Sequence, residues 1–386
     1  MTRFRLVLFS VLSLLLAASA SPGQAAAPAG SCGGWSVVPS PNDGDAGTRL
    51  AAVSAIAADD IWAVGQSQHG PSVRGLTEHW DGTAWTIVPN FYTGNGGELH
   101  GVAAVSSDDV WAVGFTLPRG YYKTFAEHWD GTTWSRVPIP SRYGVHNYLT
   151  SVTAVSANDV WAVGYTAAPH LGIEKTLIEH WDGTAWSIVT SPNPGPKLLY
   201  NQLLSVDALG TGDVWTVGFY DGPGQVENLP LIEHWDGTSW SILSAPAADA
   251  NNVLYSVVAV GPSDAWAVGE SYEINPGATL VEHWNGSAWS LVPSPAPGSS
   301  SVLQGVVAIS PDDVWALGGT ADVGIYPTDT LAEHWNGSAW SVVGTPPSAD
   351  SNEYFNGAAA VSSNDVWGVG VYQPLNDLTL TEHYCS

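Results

Sequence analysis

Apolar and polar positions along this chain fall into a pattern that recurs about every 50 residues. The run D-V-W-A-V-G, or a close variant, occurs seven times, with its tryptophan at positions 62, 111, 161, 215, 266, 315 and 367. Each period holds four short runs: L-x-x-V-x-A-V, then D-V-W-A-V-G, then T-L-x-E-H-W, then W-S-x-V. In the second repeat these predict strands over 99–106, 110–116, 124–129 and 133–137. Short runs enriched in Val, Trp and Thr, punctuated by turn pairs such as Asp130-Gly131, favour strands over helices. No segment sustains a helical period.

A four-stranded unit repeated seven times predicts an all-β fold, a seven-bladed β-propeller with four antiparallel strands per blade. The two ends of the chain sharpen this. The seventh repeat stops at Glu382-His383-Tyr384-Cys385-Ser386 and lacks its W-S-x-V run, whereas the N-terminal side supplies one as Gly34-Trp35-Ser36-Val37. We therefore expect a composite blade that closes the ring with strands from both termini. Cys32 and Cys385, the two cysteines of the chain, fall at the turn of that composite hairpin, where other repeats carry Asp-Gly or Asn-Gly. A disulfide there would seal the ring.

The pairing of D-V-W-A-V-G with E-H-W-D-G-T-A-W resembles the kelch repeat of galactose-oxidase-like propellers, in which a β segment ending in glycine is followed by an aromatic residue, a turn and a tryptophan. The resemblance spans 31–386. The kelch double glycine occurs once, at Gly318-Gly319, and the turn here is Asp-Gly or Asn-Gly. Similarity to WD-repeat propellers, where Asp, His and Trp are linked within a blade, implies that His180 bonds Asp159.

The first 20 residues place Arg3 and Arg5 before an apolar run from Leu6 to Leu16 and end on Ala18-Ser19-Ala20. That reads as a secretory signal peptide, followed over 21–30 by a disordered Ala/Pro/Gly-rich segment. The propeller then occupies 31–386, and the mature chain should be extracellular with no membrane span. The sequence holds 36 Asp and Glu against 10 Lys and Arg, a formal net charge of −26. Such a balance disfavours nucleic acid, because phosphate binding needs a concentrated basic surface, and no nucleic-acid partner is expected.

E-H-W-D-G-T-A-W-S at 179–187 poses the central functional question, since Glu179, His180 and Asp182 could be an acid/base or metal cluster. The same trio returns around the ring, however, and catalytic groups are normally unique, so we read it as architecture. All 20 tryptophans fall on three repeated positions and are read as blade packing. Buried glutamates need hydrogen-bond donors. The cations are too few to serve them, so backbone N–H, indole N–H and His are the expected partners.

Function should then reside in what does not repeat. Tracing a four-stranded meander puts the two tight turns of each repeat on one face and both long, variable connections on the other, and such loops commonly carry binding groups. Arg119, Tyr121, Tyr122, Arg142, Tyr143, His146 and Tyr148 form the candidate ligand-binding sector. No catalytic set, metal site or cofactor is indicated: there is no G-x-S-x-G, H-E-x-x-H or phosphate loop. We expect a monomeric, noncatalytic module that binds extracellular glycan or protein. A glycan-processing hydrolase or lyase with its site on the same face, and a purely structural cell-surface scaffold, are the alternatives.

Overall fold

The computed structural model describes residues 32–386 apart from 45–46, 92–95, 119, 195–199, 223–226, 273–276, 322–327, 348–351 and 374–375. The segments read above as a signal peptide and a linker, and Arg119, lie outside the described residues. Among them there are 28 strands in seven four-stranded antiparallel sheets, and no helix. The second blade consists of Gly97–Ser106, Asp109–Thr116, Lys123–Trp129 and Trp134–Val137, numbered here from the axis outward. Innermost strands of neighbouring blades pack side by side around a central channel.

Closure occurs as the sequence implies. The strand Gly34–Val37 pairs with Leu378–Cys385 as the outer strand of the seventh blade, with Gly34 opposite Cys385 and Val37 opposite Glu382. Cys32 and Cys385 are disulfide-bonded across that edge. The bridge spans 353 residues, which in the chain-entropy model restricts the unfolded chain by about 5–6 kcal/mol.

Cohesion comes from the seams between blades. Seven apolar clusters each draw on two adjacent blades. At the seam of blades two and three, Trp111 is buried between Trp181, at 5.1 Å, and Trp186, at 5.4 Å and edge-on. Edge and tilted arrangements of this kind suit the ring quadrupoles. The last seam uses the N-terminal strand, with Trp315 meeting Trp35 and Tyr384. Tyr384 replaces the tryptophan that six other blades carry after Glu-His.

The glycine ending each D-V-W-A-V-G run has a steric cause. Gly164 faces Leu149 on the inner strand, and a Cβ there would lie 2.1 Å from the Tyr148 carbonyl oxygen. The equivalents Gly65, Gly114, Gly218, Gly269, Gly318 and Gly370 are equally crowded. Beside each of them the inner strand carries a β-bulge, immediately after Leu50, Leu99, Leu149, Leu203, Leu254, Leu303 or Phe355. A bulge leaves one residue unpaired and re-aims its side chain.

Candidate functional site

Those seven re-aimed residues are Ala51, His100, Thr150, Leu204, Tyr255, Gln304 and Asn356, and all line a funnel of about 340 Å³ at the axis. No two are alike. Residues on either side remain nearly uniform: Leu or Phe packs the blade before the bulge, and after it stands Ala, Gly or Ser. The small residue is required because inner strands crowd at the axis; a Cβ on Gly101 would come within 2.9 Å of the Ser151 backbone. The scaffold thus holds seven identical mounts and fills each with a different side chain.

Polar groups in and behind the funnel wall pair with one another. Arg49 donates to Gln66 Oε1 at 3.0 Å, Tyr255 donates to Glu270 Oε1 at 2.8 Å, and His100 Nε2 lies 3.2 Å from Glu98 Oε2. Burial raises the carboxyl of Glu270 above its ordinary range and raises the Tyr255 hydroxyl, helped by the Glu270 charge. Burial likewise raises Glu174, whose carboxylate accepts from Gln202. Among the described residues these desolvated acids face no ammonium or guanidinium partner, a setting often found at binding sites.

From His100 an aromatic path runs outward. His100 stacks on Phe115 at 5.1 Å, Phe115 meets Tyr122 edge-on at 5.2 Å and Tyr148 edge-on at 4.9 Å, and Tyr148 stacks on Tyr165 at 4.8 Å. Tyr122 contacts His146 at 5.2 Å, and His146 meets Tyr121 at 5.5 Å. Burial, with the neighbouring Tyr122, Glu174 and Glu98, pushes the Tyr148 hydroxyl up to about 12. Four of the sequence-selected residues, Tyr121, Tyr122, His146 and Tyr148, therefore stand in one cluster.

Arg142 and Tyr143 stand apart from it. They line a second cavity, of about 440 Å³, toward the rim of the second blade, together with Tyr121, Lys123 and Arg136. Asn147, buried under this loop, accepts from the Arg142 N–H at 2.8 Å and donates to the Arg142 and Val145 carbonyls. Tyr143 at the loop tip is fully exposed. Sequence reasoning missed the axial ring, Lys123 and Arg136; the usable signal was the one column of L-x-x-V that differs in every repeat.

The repeated polar residues are held within the blades, and one His–Asp pair recurs in all seven. His180 donates from Nε2 to Asp159 Oδ1 at 2.7 Å, and the six equivalent pairs span 2.8–2.9 Å. Asp182 is consumed by its turn: the Thr184 hydroxyl, then the Ala185 and Thr184 N–H groups, hold its carboxyl down at about 2. Asn285 and Asn336 make the same turn. The glutamates differ from expectation. Glu78, Glu179, Glu282 and Glu333 are fully buried with no hydrogen bond on either carboxylate oxygen among the described residues, while Glu127 accepts from the Phe91 N–H at 3.1 Å. Strand geometry isolates them between blades, and burial lifts Glu78, Glu127, Glu282 and Glu333 to about 8 and Glu179 well above the ordinary range. Among the described residues no group of three His, Cys, Asp or Glu is placed to hold a metal.

No family model matches this chain, and no curated protein does. Solved structures of similar shape do exist. YCF48 bound to D1 peptide aligns at 14% identity over 93% of this chain and 99% of its own, with a TM-score of 0.56. A PL25 ulvan lyase bound to -[GlcA(1-4)Rha3S]- aligns at 10% identity over 88% of this chain and 94% of its own, TM-score 0.59. The GH74 xyloglucanase from Xanthomonas campestris aligns at 12% identity over 87% of this chain and 53% of its own, TM-score 0.54. At these identities the likeness shows the propeller alone, with nothing specific to kelch repeats.

Proposed function

We propose that this protein is a secreted, noncatalytic binding module whose long-loop face engages an extracellular glycan or protein. One observation carries the proposal: on a scaffold that repeats its packing residues seven times, the seven axial mounts hold seven different side chains, so their identities answer to something other than the fold. A concave site with convergent polar groups and aromatic walls is a usual form for ligand binding. Propellers of this shape accommodate both classes, given the peptide on YCF48 and the saccharide on the ulvan lyase. Disulfide closure and the leader-like N-terminus favour an extracellular setting. Screening the mature chain on glycan and peptide arrays, beside a His100→Ala/Gln304→Ala variant, tests the reading. Binding that weakens at least tenfold in the folded variant supports it; a hit unaffected by the variant removes the axis from the site.

The Tyr255–Glu270 pair keeps a second reading open on the same face, that of a glycan-processing enzyme. A phenol and a carboxyl 2.8 Å apart at the mouth of a funnel are the kind of groups acid/base chemistry uses. Release of reducing ends or unsaturated products from a bound polysaccharide, abolished by Glu270→Gln, would establish turnover.

A further inference from the structure

We infer that the rim cavity at the second blade is a subsite for an anionic sugar unit, carboxylated or sulfated, of a polysaccharide that lies along the aromatic path from the axis. This rests on the binding reading above and gives it a ligand class. The chain is strongly acidic, with few cations, yet Lys123, Arg136 and Arg142 converge on one cavity whose described lining contains no Asp or Glu. Among the described residues none of the three forms an ion pair, although isolated surface cations in so acidic a protein would have abundant partners. The positive field of Arg142 is felt by Glu179, buried behind the loop, Arg136 lies 5.8 Å over the Phe125 ring, and both arginines are exposed.

Two further observations select a sugar. Tyr143 is wholly exposed and Tyr121 is 42% exposed, and flat phenol faces suit the C–H faces of a pyranose ring. Tyr121 also ends the path that begins at His100, so a linear chain can reach the axial funnel and the rim cavity together. Asn147 fixes the loop that presents Arg142 and Tyr143. Asn252 fixes the fifth-blade loop in the same way, accepting from the Ala248 N–H at 2.9 Å, but that loop carries no cation. The loop device is therefore architecture and its passengers are the variable part. Guanidinium groups bind carboxylate and sulfate through paired N–H donors.

Charge gives the subsite a distinctive salt response. At about 0.15 M salt the screening length is ~8 Å, so the three local cations dominate; at ~0.01 M it is ~30 Å, and the acidic remainder of the molecule repels the same ligand. Affinity should pass through a maximum between low and high salt, whereas an uncharged ligand should show none.

The test uses the mature chain with three probes: oligogalacturonate, sulfated dextran oligomers and neutral dextran oligomers of matched length. Titration calorimetry should show both anionic probes binding at least tenfold more tightly than the neutral one. Arg136→Ala/Arg142→Ala, with unchanged melting temperature, should lose at least tenfold toward the anionic probes. His100→Ala/Gln304→Ala should weaken all probes while preserving the preference for charge. Equal binding of neutral dextran, full affinity in the folded arginine variant, or no binding by either anionic probe overturns the subsite and leaves the axial site standing. Loss in the arginine variant with no effect of the axial variant upholds the subsite and removes the axis instead.

Discussion

His180 and Asp159 face each other across adjacent strands of the third blade, Nε2 to Oδ1 at 2.7 Å, with the imidazole stacked on Trp161 at 4.1 Å. The pair holds the lower edge of the blade, where the Trp181 indole also bonds the Ala157 carbonyl. His180→Phe keeps the stacking and removes the bond. We expect a loss of about 1–2 kcal/mol, reduced by the partial exposure of His180. A cycle with Asp159→Asn should show coupling of similar size; an unchanged melt in His180→Phe rules the link out.

Stability should fall as pH rises, because the seven seam glutamates are buried. Glu78, Glu127, Glu233, Glu282, Glu333 and Glu382 are raised to about 8 in the fold. A carboxyl raised above its unfolded value stabilises fully below about pH 4.5 and loses that contribution as pH climbs through the folded value. Even about 1 kcal/mol per glutamate, at ~2 °C per kcal/mol in a domain of this size, amounts to a drop of about 10 °C or more between pH 5 and pH 9. Glu179→Gln should flatten part of that slope and raise the melting temperature at pH 9. A melting temperature that rises from pH 5 to pH 9 would refute the assignment.

Gly164→Ala should destabilise by about 3 kcal/mol or more. The added methyl would collide with the Tyr148 carbonyl, and backbone cannot rotate away as a side chain can. Chemical denaturation of this variant beside Ala167→Gly, further up the same strand, separates the bulge effect from a general loss of strand packing.

Reduction of Cys32–Cys385 should lower the melting temperature without unfolding the protein at 25 °C. The ceiling is about 5–6 kcal/mol, and the strand Gly34–Val37 keeps its four-residue pairing and its Trp35 contacts after the bridge opens. Calorimetry with and without reductant, repeated on Cys32→Ser, checks this. An identical melt in both forms would mean that the N-terminal strand closes the ring unaided.

Much of this molecule was legible in its sequence for one reason: blades repeat, so each packing rule is written seven times. Trp111, Gly164 and His180 declare their roles by recurrence, and the missing run after Tyr384 points to Trp35 across nearly the whole chain. The axial ring was illegible for the complementary reason. His100 and Tyr255 occupy a column with no shared property, and only the bulge opposite each glycine shows that such a column faces the channel. Arg136 sits on an outer strand, away from the loops that hold most cations, and its meeting with Lys123 and Arg142 depends on strand pairing that composition does not express. The glutamates were anticipated as buried, but how many donors reach a seam is a matter of packing.

The central claim is that repeated residues build this protein and nonrepeated residues on the long-loop face bind its ligand. The most direct test measures affinity and melting temperature together, for the tightest array hit, in His180→Phe and in His100→Ala/Gln304→Ala. The account predicts a lowered melt with unchanged affinity in the first, and an unchanged melt with at least tenfold weaker binding in the second. Binding abolished by His180→Phe in a protein that remains folded, with the axial variant unaffected, would contradict it.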